Sequence, residues 1–174
     1  MKLKILLKFA HFIFLIISVI LQLSFLEQLK IFNINIDLVL VTVIGIAVFE
    51  GGLYGLVYGF IAGMLLDLMI GQVIGLNALL YCLSGFFTGM IMDAGFKRRM
   101  ITYILLIFFF TEANILLTGG IYYLFNFTSH TAALGLEMII KPVCNIVVMF
   151  LVFPLLKAGL ERSEEIGFKY KDQI

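Results

Sequence analysis

Five polar residues stand within the apolar stretches of the second half of the chain: Glu112, Asn114, Glu137, Lys141 and Asn145. Ionisable groups at membrane depth are costly to keep and mark ion pairs, proton relays or substrate paths. Glu137, Lys141 and Asn145 are four residues apart, so on a helix they share one face, and Glu before Lys is the favoured order. Counting about 1.5 Å per residue from the ends rich in basic residues puts Glu112 about 18 Å deep and Lys141 about 23 Å deep. If their two stretches are antiparallel neighbours, a Glu112–Lys141 contact is within reach. Two chemistries fit this cluster: an ion pair that fixes helix register, or a polar cavity that binds a small molecule.

Catalytic motifs do not accompany it. The chain has no His-Glu-x-x-His, no Gly-x-Ser-x-Gly, no phosphate-binding loop ending in Lys-Ser/Thr and no Cys-x-x-Cys. Asp67 and Asp93 are placed near opposite membrane faces, so they make no aspartyl dyad. His11 and His130 are placed on opposite sides of the membrane and cannot share a metal. Cys82 and Cys144 lie inside apolar runs, where cysteine packs as a small hydrophobe. No catalytic residue, cofactor or metal site is expected.

A second pattern has a sharper spacing. Gly51, Gly55, Gly59, Gly63, Asp67, Gly71 and Gly75 follow one another every four residues. Such residues advance about 40° per step on a helix, giving one gently spiralling groove. In lipid, glycine lets helix backbones approach closely, and Gly85 and Gly89 repeat the motif further on. The groove packs a helix of this chain or docks a helix from another protein. Asp67 interrupts the ladder near the end of its helix, where its charge opposes the dipole. Bonds from the start of the next helix, near Gly75-Leu76-Asn77, resolve that conflict and make Asp67 a clamp on the loop through Gly71 and Gly75. An ion or proton site is the alternative.

These residues need long apolar elements to hold them. Of 174 residues, 63% are hydrophobic and only 13% charged, with a mean hydropathy of +1.14. A soluble domain is about half apolar and about one quarter charged, so lipid must be the outer solvent. Apolar stretches cover 5–26, 36–49, 53–70, 76–92, 100–124 and 132–156. None alternates as a barrel strand would, so all read as helices. The second, at about 14 residues, is short for a full crossing and fits a re-entrant or shortened element as well. The first is longer than a cleavable signal core and lacks small residues at a cut site, so it reads as a retained span.

The basic residues orient the bundle. Lys2, Lys4, Lys8, Lys97, Arg98, Arg99, Lys157, Arg162, Lys169 and Lys171 fall on one side if all six stretches cross; Lys30 alone falls opposite. The positive-inside bias puts that side, and both termini, in the cytoplasm. Residues 1–160 form the six-helix domain, and 161–174 a short charged cytoplasmic tail. No basic, aromatic-interleaved patch supports nucleic-acid binding.

The run Glu50-Gly51-Gly52-Leu53-Tyr54-Gly55-Leu56-Val57-Tyr58-Gly59-Phe60-Ile61-Ala62-Gly63-Met64-Leu65-Leu66-Asp67 resembles the core of the rod-shape-determining MreD family. The likeness continues through Gly71, Gly75, Asn77, Ala78, Leu79, Tyr81 and Gly85. One departure stands at Ile36-Asp37-Leu38, where family members often carry Pro-Asp-Leu. The resemblance implies an all-α polytopic membrane protein of about six helices in one bundle. It implies a fold similar to the substrate-binding subunits of energy-coupling-factor transporters. It also implies a non-catalytic role in the bacterial cytoplasmic membrane: binding MreC, connecting indirectly to MreB, RodA and a class B penicillin-binding protein, and supporting peptidoglycan synthesis. A small-molecule-binding transporter subunit is the competing expectation.

Overall fold

Leu38-Val-Leu-Val-Thr-Val-Ile-Gly-Ile-Ala-Val is so rich in β-branched residues that in water it would favour a strand. In lipid, every backbone N–H and C=O must find a partner within its own segment, which favours a helix. In the computed structural model this segment is a helix, α2, Leu38–Glu50. The backbone is described over residues 2–26, 35–70, 73–96, 99–125 and 134–171, and side chains over 9–24, 35–70, 73–96, 99–125 and 135–156. The other helices are α1, Lys2–Leu21, which runs into a π-helical turn at Gln22–Leu26; α3, Gly52–Ile70; α4, Leu76–Asp93; α5, Met100–Leu124; and α6, Leu134–Lys171. No strand occurs among the described residues.

The helices make a ring of five around α2. Its neighbours α1, α3, α4, α5 and α6 each touch α2, and they close on one another in the order α1, α3, α4, α5, α6. Every residue from Val39 to Val48 on α2 is buried, the pattern of a helix that is apolar all round. Outward faces of the ring carry Leu53, Phe60, Leu83, Phe109, Leu116 and Val147, all exposed and apolar. A surface of this kind suits acyl chains. Helices α3, α4, α5 and the Gly135–Leu156 part of α6 are each long and apolar enough to cross a membrane.

Helix α2 is not long enough. Its 13 residues rise about 20 Å, against a hydrocarbon core of about 30 Å. The short second stretch seen in the sequence is therefore a central, shortened helix rather than a peripheral span. The apolar part described for α1, Phe9–Ser24, is also shorter than the four long spans. Helix α6 runs on unbroken past residue 160 to Lys171, with Pro142 and Pro154 inside it. Each proline removes one intrahelical hydrogen bond. Of the basic residues used to orient the chain, Lys30, Lys97 and Arg98 lie outside the described residues, as does His130.

One glycine joins α2 to α3. Gly51 has φ +95° and ψ 174°, a region open essentially to glycine alone. Its N–H bonds Ala47 O at 3.0 Å and its C=O accepts from Gly55 N at 3.0 Å. Two helices thus reverse direction across a single residue. On the far side of α2, α5 and α6 run antiparallel: Tyr103 stacks near Phe153, with centroids 5.2 Å apart, and Thr111 meets Asn145. Tyr103 also reaches into the centre, donating to Val41 O at 2.9 Å. The ring fits there because residue 45 of α2 is glycine; a Cβ at that position would collide with the Tyr103 hydroxyl.

Candidate functional site

The start of α2 carries a polar centre. Helix α2 is about 10 Å shorter than a full crossing, and Asp37, Val39 and Leu40 at its start are buried, so its free N–H groups open inside the bundle. Such orphan donors need partners. Asp37, buried, caps the helix by accepting from Leu40 N at 3.0 Å. Gln22, on the π-helical turn after α1, accepts from Val39 N at 2.8 Å. Asn145 on α6 accepts from Asp37 N at 2.9 Å and donates to Thr111 on α5 at 3.0 Å. Tyr81 on α4 places its hydroxyl 2.9 and 2.8 Å from the two Asp37 carboxylate oxygens. Residues from α1–π, α4, α5 and α6 therefore converge on one helix end. Below it, Thr42 donates to Ser18 at 3.0 Å.

No cation forms an ion pair with Asp37 among the described residues. The positive end of α2 and the tyrosine hydroxyl supply its stabilisation instead. The bonds of the centre made by Gln22, Tyr81 and Asn145 run between different helices and tie them together. Among the described residues no group of three His, Cys, Asp or Glu side chains comes together as a metal site.

A second carboxylate serves the next helix. Asp67, buried near the end of α3, accepts from Gly75 N at 3.0 Å, Asn77 N at 3.2 Å and Ala78 N at 3.0 Å. The Asn77 side-chain amide adds a fourth bond at 2.8 Å. Gly75 has φ +94°, and α4 has no side-chain cap of its own. Asp67 thus caps α4 from the neighbouring helix, joining Gly75 and Asn77 to α3. Gly71 lies outside the described residues.

The ladder below Asp67 is a seam between α3 and α4. A Cβ on Gly55 would sit 2.5 Å from Gly85 O, and one on Gly63 would sit 2.5 Å from Ala78 Cα. Gly59 faces the backbone at Tyr81, and Gly89 faces Gly52. The occupant of the groove is α4 of this chain, and the backbones leave no room along that face for another helix. The seven positions do not share one helix: Gly51 is the turn before α3, and Gly75 precedes α4.

The five intramembrane polar residues do not form one cluster. Lys141 pairs with Glu137, one turn before it on α6, at 3.6 Å, instead of with Glu112. Glu112 Oε2 is buried without a hydrogen-bond partner. The reason is rotational. Thr111 is the α5 residue aimed at Asn145, and Glu112 lies about 100° round from it. Asn145 belongs to the Asp37 centre. Asn114 points elsewhere, donating to Phe110 O at 2.8 Å and to Ser84 Oγ on α4 at 3.3 Å. At the opposite end of α2, His11 Nδ1 lies 3.2 Å from Glu50 Oε1.

Sequence reasoning did not single out Asp37, Gln22, Tyr81 or Thr111 as a group. One signal was available: Asp37 is a lone carboxylate opening an apolar stretch too short to span. Comparison with known proteins gives no match among curated proteins and none among solved structures. Residues 3–158 match the family described as rod shape-determining protein MreD, and the chain belongs to that family.

Proposed function

We propose that this chain is a non-catalytic subunit of the bacterial cell-elongation complex, resident in the cytoplasmic membrane with both termini in the cytoplasm. In this reading it binds MreC and through it connects to MreB, RodA and a class B penicillin-binding protein, supporting rod shape and peptidoglycan synthesis. The observation that carries the proposal is the family match across 3–158. The positive-inside pattern of the basic residues supports the orientation. The use of Asp37, Asp67 and Asn145 as ties between helices supports an assembly role over catalysis. With the groove of α3 filled by α4, a membrane partner has the lipid-facing surfaces of the ring to bind.

Purification of the tagged protein from its own membranes in mild detergent, followed by mass spectrometry, tests this. Recovery of MreC with wall-synthesis enzymes is the expected result. Recovery of transporter ATPases, or of a bound vitamin-like molecule, would replace the proposal with a transporter subunit of similar fold.

A further inference from the structure

Glu112 stands in the middle of a lipid-facing stripe. It is midway along the 25 residues of α5, so about 18 Å of helix lies on either side of it. Ile101, Leu105, Phe108, Leu116 and Tyr123 fall within about 40° of it round the helix. All five are exposed. The bundle-facing side of α5 is a different one, marked by Thr111 against α6 and Asn114 against α4. Glu112 is partly buried, and no cation of the chain serves it: Lys141, the intramembrane lysine among the described residues, is taken by Glu137 at 3.6 Å.

A carboxyl at this depth on an outward face is costly to keep. Glutamate lacks the long stem that lets lysine and arginine reach back to the interface, so neither water nor a lipid headgroup meets it there. A donor for Glu112 has to be carried to mid-depth by another membrane-spanning element, and a helix is the element that does so with its own backbone satisfied. About two turns further on, Gly120 is exposed with open space around it, so a second helix can approach α5 closely on this side. We infer that the outer face of α5 docks a transmembrane helix of a partner subunit, one that presents a hydrogen-bond donor to Glu112 at mid-depth. For the partner's identity this rests on the elongation-complex reading, which it deepens by assigning one face of the ring as the interface.

The test is photocrosslinking of the full-length chain in its own membranes, with p-benzoylphenylalanine placed at position 105 or 116, and at position 53 on α3 as the control. Mass spectrometry of the crosslinked peptides identifies what lies against each site. Positions 105 and 116 should crosslink to a membrane span of MreC or RodA that carries a donor side chain at mid-depth, and position 53 should not. Glu112→Leu should cut that yield about three-fold or more, the effect of one polar contact between helices in lipid, while Glu112→Gln keeps most of it. Glu112→Leu should leave the melting temperature of the purified chain at or above the parent's. A lower melting temperature would overturn the inference by revealing a partner inside the bundle. Crosslinks to lipid alone or to a second copy of this chain, or a yield indifferent to Glu112→Leu, would overturn it and leave the elongation-complex reading standing. A Glu112-dependent crosslink to a transporter subunit would keep the docking face and overturn that reading instead.

Discussion

Replacing Asp67 by Asn keeps the shape of the side chain and removes half of its accepting capacity. In the native structure Oδ2 takes the N–H groups of Gly75 and Ala78, and Oδ1 takes the N–H and side-chain amide of Asn77. An asparagine has one carbonyl oxygen and an NH2 that must face one of these donor pairs. Two bonds disappear, and two buried donors meet another donor. Hydrogen bonds to a charged group contribute about 1.5–3 kcal/mol each, so Asp67→Asn should destabilise the fold by about 3–6 kcal/mol. Asn77→Ala removes only the side-chain bond and leaves the three backbone bonds in place, for a loss of about 1–2 kcal/mol. Reversible denaturant unfolding in mixed micelles, followed by circular dichroism, measures both. The ordering is the diagnostic: a generic disturbance of the loop would make the two variants alike. Native-like stability of Asp67→Asn would refute the capping argument outright.

Three further substitutions probe the remaining ties. Gly55→Leu should separate α3 from α4, because even a Cβ there lies 2.5 Å from Gly85 O and 2.6 Å from the Ala47 Cβ. Its cost should reach the upper part of the range for overpacking, about 3 kcal/mol, while Gly120→Leu, with open space around it, should unfold like the parent in the same assay. Tyr81→Phe leaves Asp37 with Leu40 N and the helix end alone and should lose about 2–3 kcal/mol; an unchanged unfolding midpoint would mean that the hydroxyl contributes nothing to the centre. Lys141→Met strands Glu137, and in lipid its cost should approach about 3 kcal/mol. Joint Glu137→Gln/Lys141→Met should restore most of that, whereas restoration by Glu112→Gln in place of Glu137→Gln would reassign the pair.

Spacing along one helix was readable, and rotation between helices was not. The four-residue glycine step is a property of α3 by itself, so the sequence identifies a smooth face at Gly55, Gly59 and Gly63. Which helix lies on that face depends on how the chain turns at Gly51, and a positive φ leaves no mark except the glycine. The Glu112–Lys141 pairing was reached from depth alone. Depth along an axis follows from residue counting, but facing depends on helix phase, and the contact of Thr111 with Asn145 sets the phase of α5 so that Glu112 is turned aside. The Asp37 centre was hidden for a different reason. Its members stand as far apart as Gln22 and Asn145, and each by itself is an ordinary polar residue in or beside an apolar run. Only the short length of α2 hinted that a helix end lay inside the bundle.

That shortness explains why the polar residues are placed where they are. A full-length central helix would bring its free N–H groups to the membrane surface, where water satisfies them. Helix α2 stops about 10 Å early, and the bundle must supply what water would have given. Gln22 and Asn145 accept from N–H groups at the start of α2, Tyr81 donates to the capping carboxylate and Thr111 accepts from Asn145, so these bonds also fix the turn after α1, α4, α5 and α6 relative to α2. The Asp67 cap works in the same way on α4, where Gly75 offers no side chain of its own. The Asp37 carboxylate is thus bound to the start of its own helix and to Tyr81 on α4, the Asp67 carboxylate to the start of the next helix, and neither has a cation beside it among the described residues. An aspartate in an ion pair could be exchanged for a lysine on the other partner with the pair kept. A backbone N–H cannot be exchanged, so these two positions accept only a side chain that can receive several bonds at fixed reach. At Asp67, where four donors meet two oxygens, glutamate fails on reach and asparagine on acceptor count, which leaves aspartate as the residue that the geometry requires there.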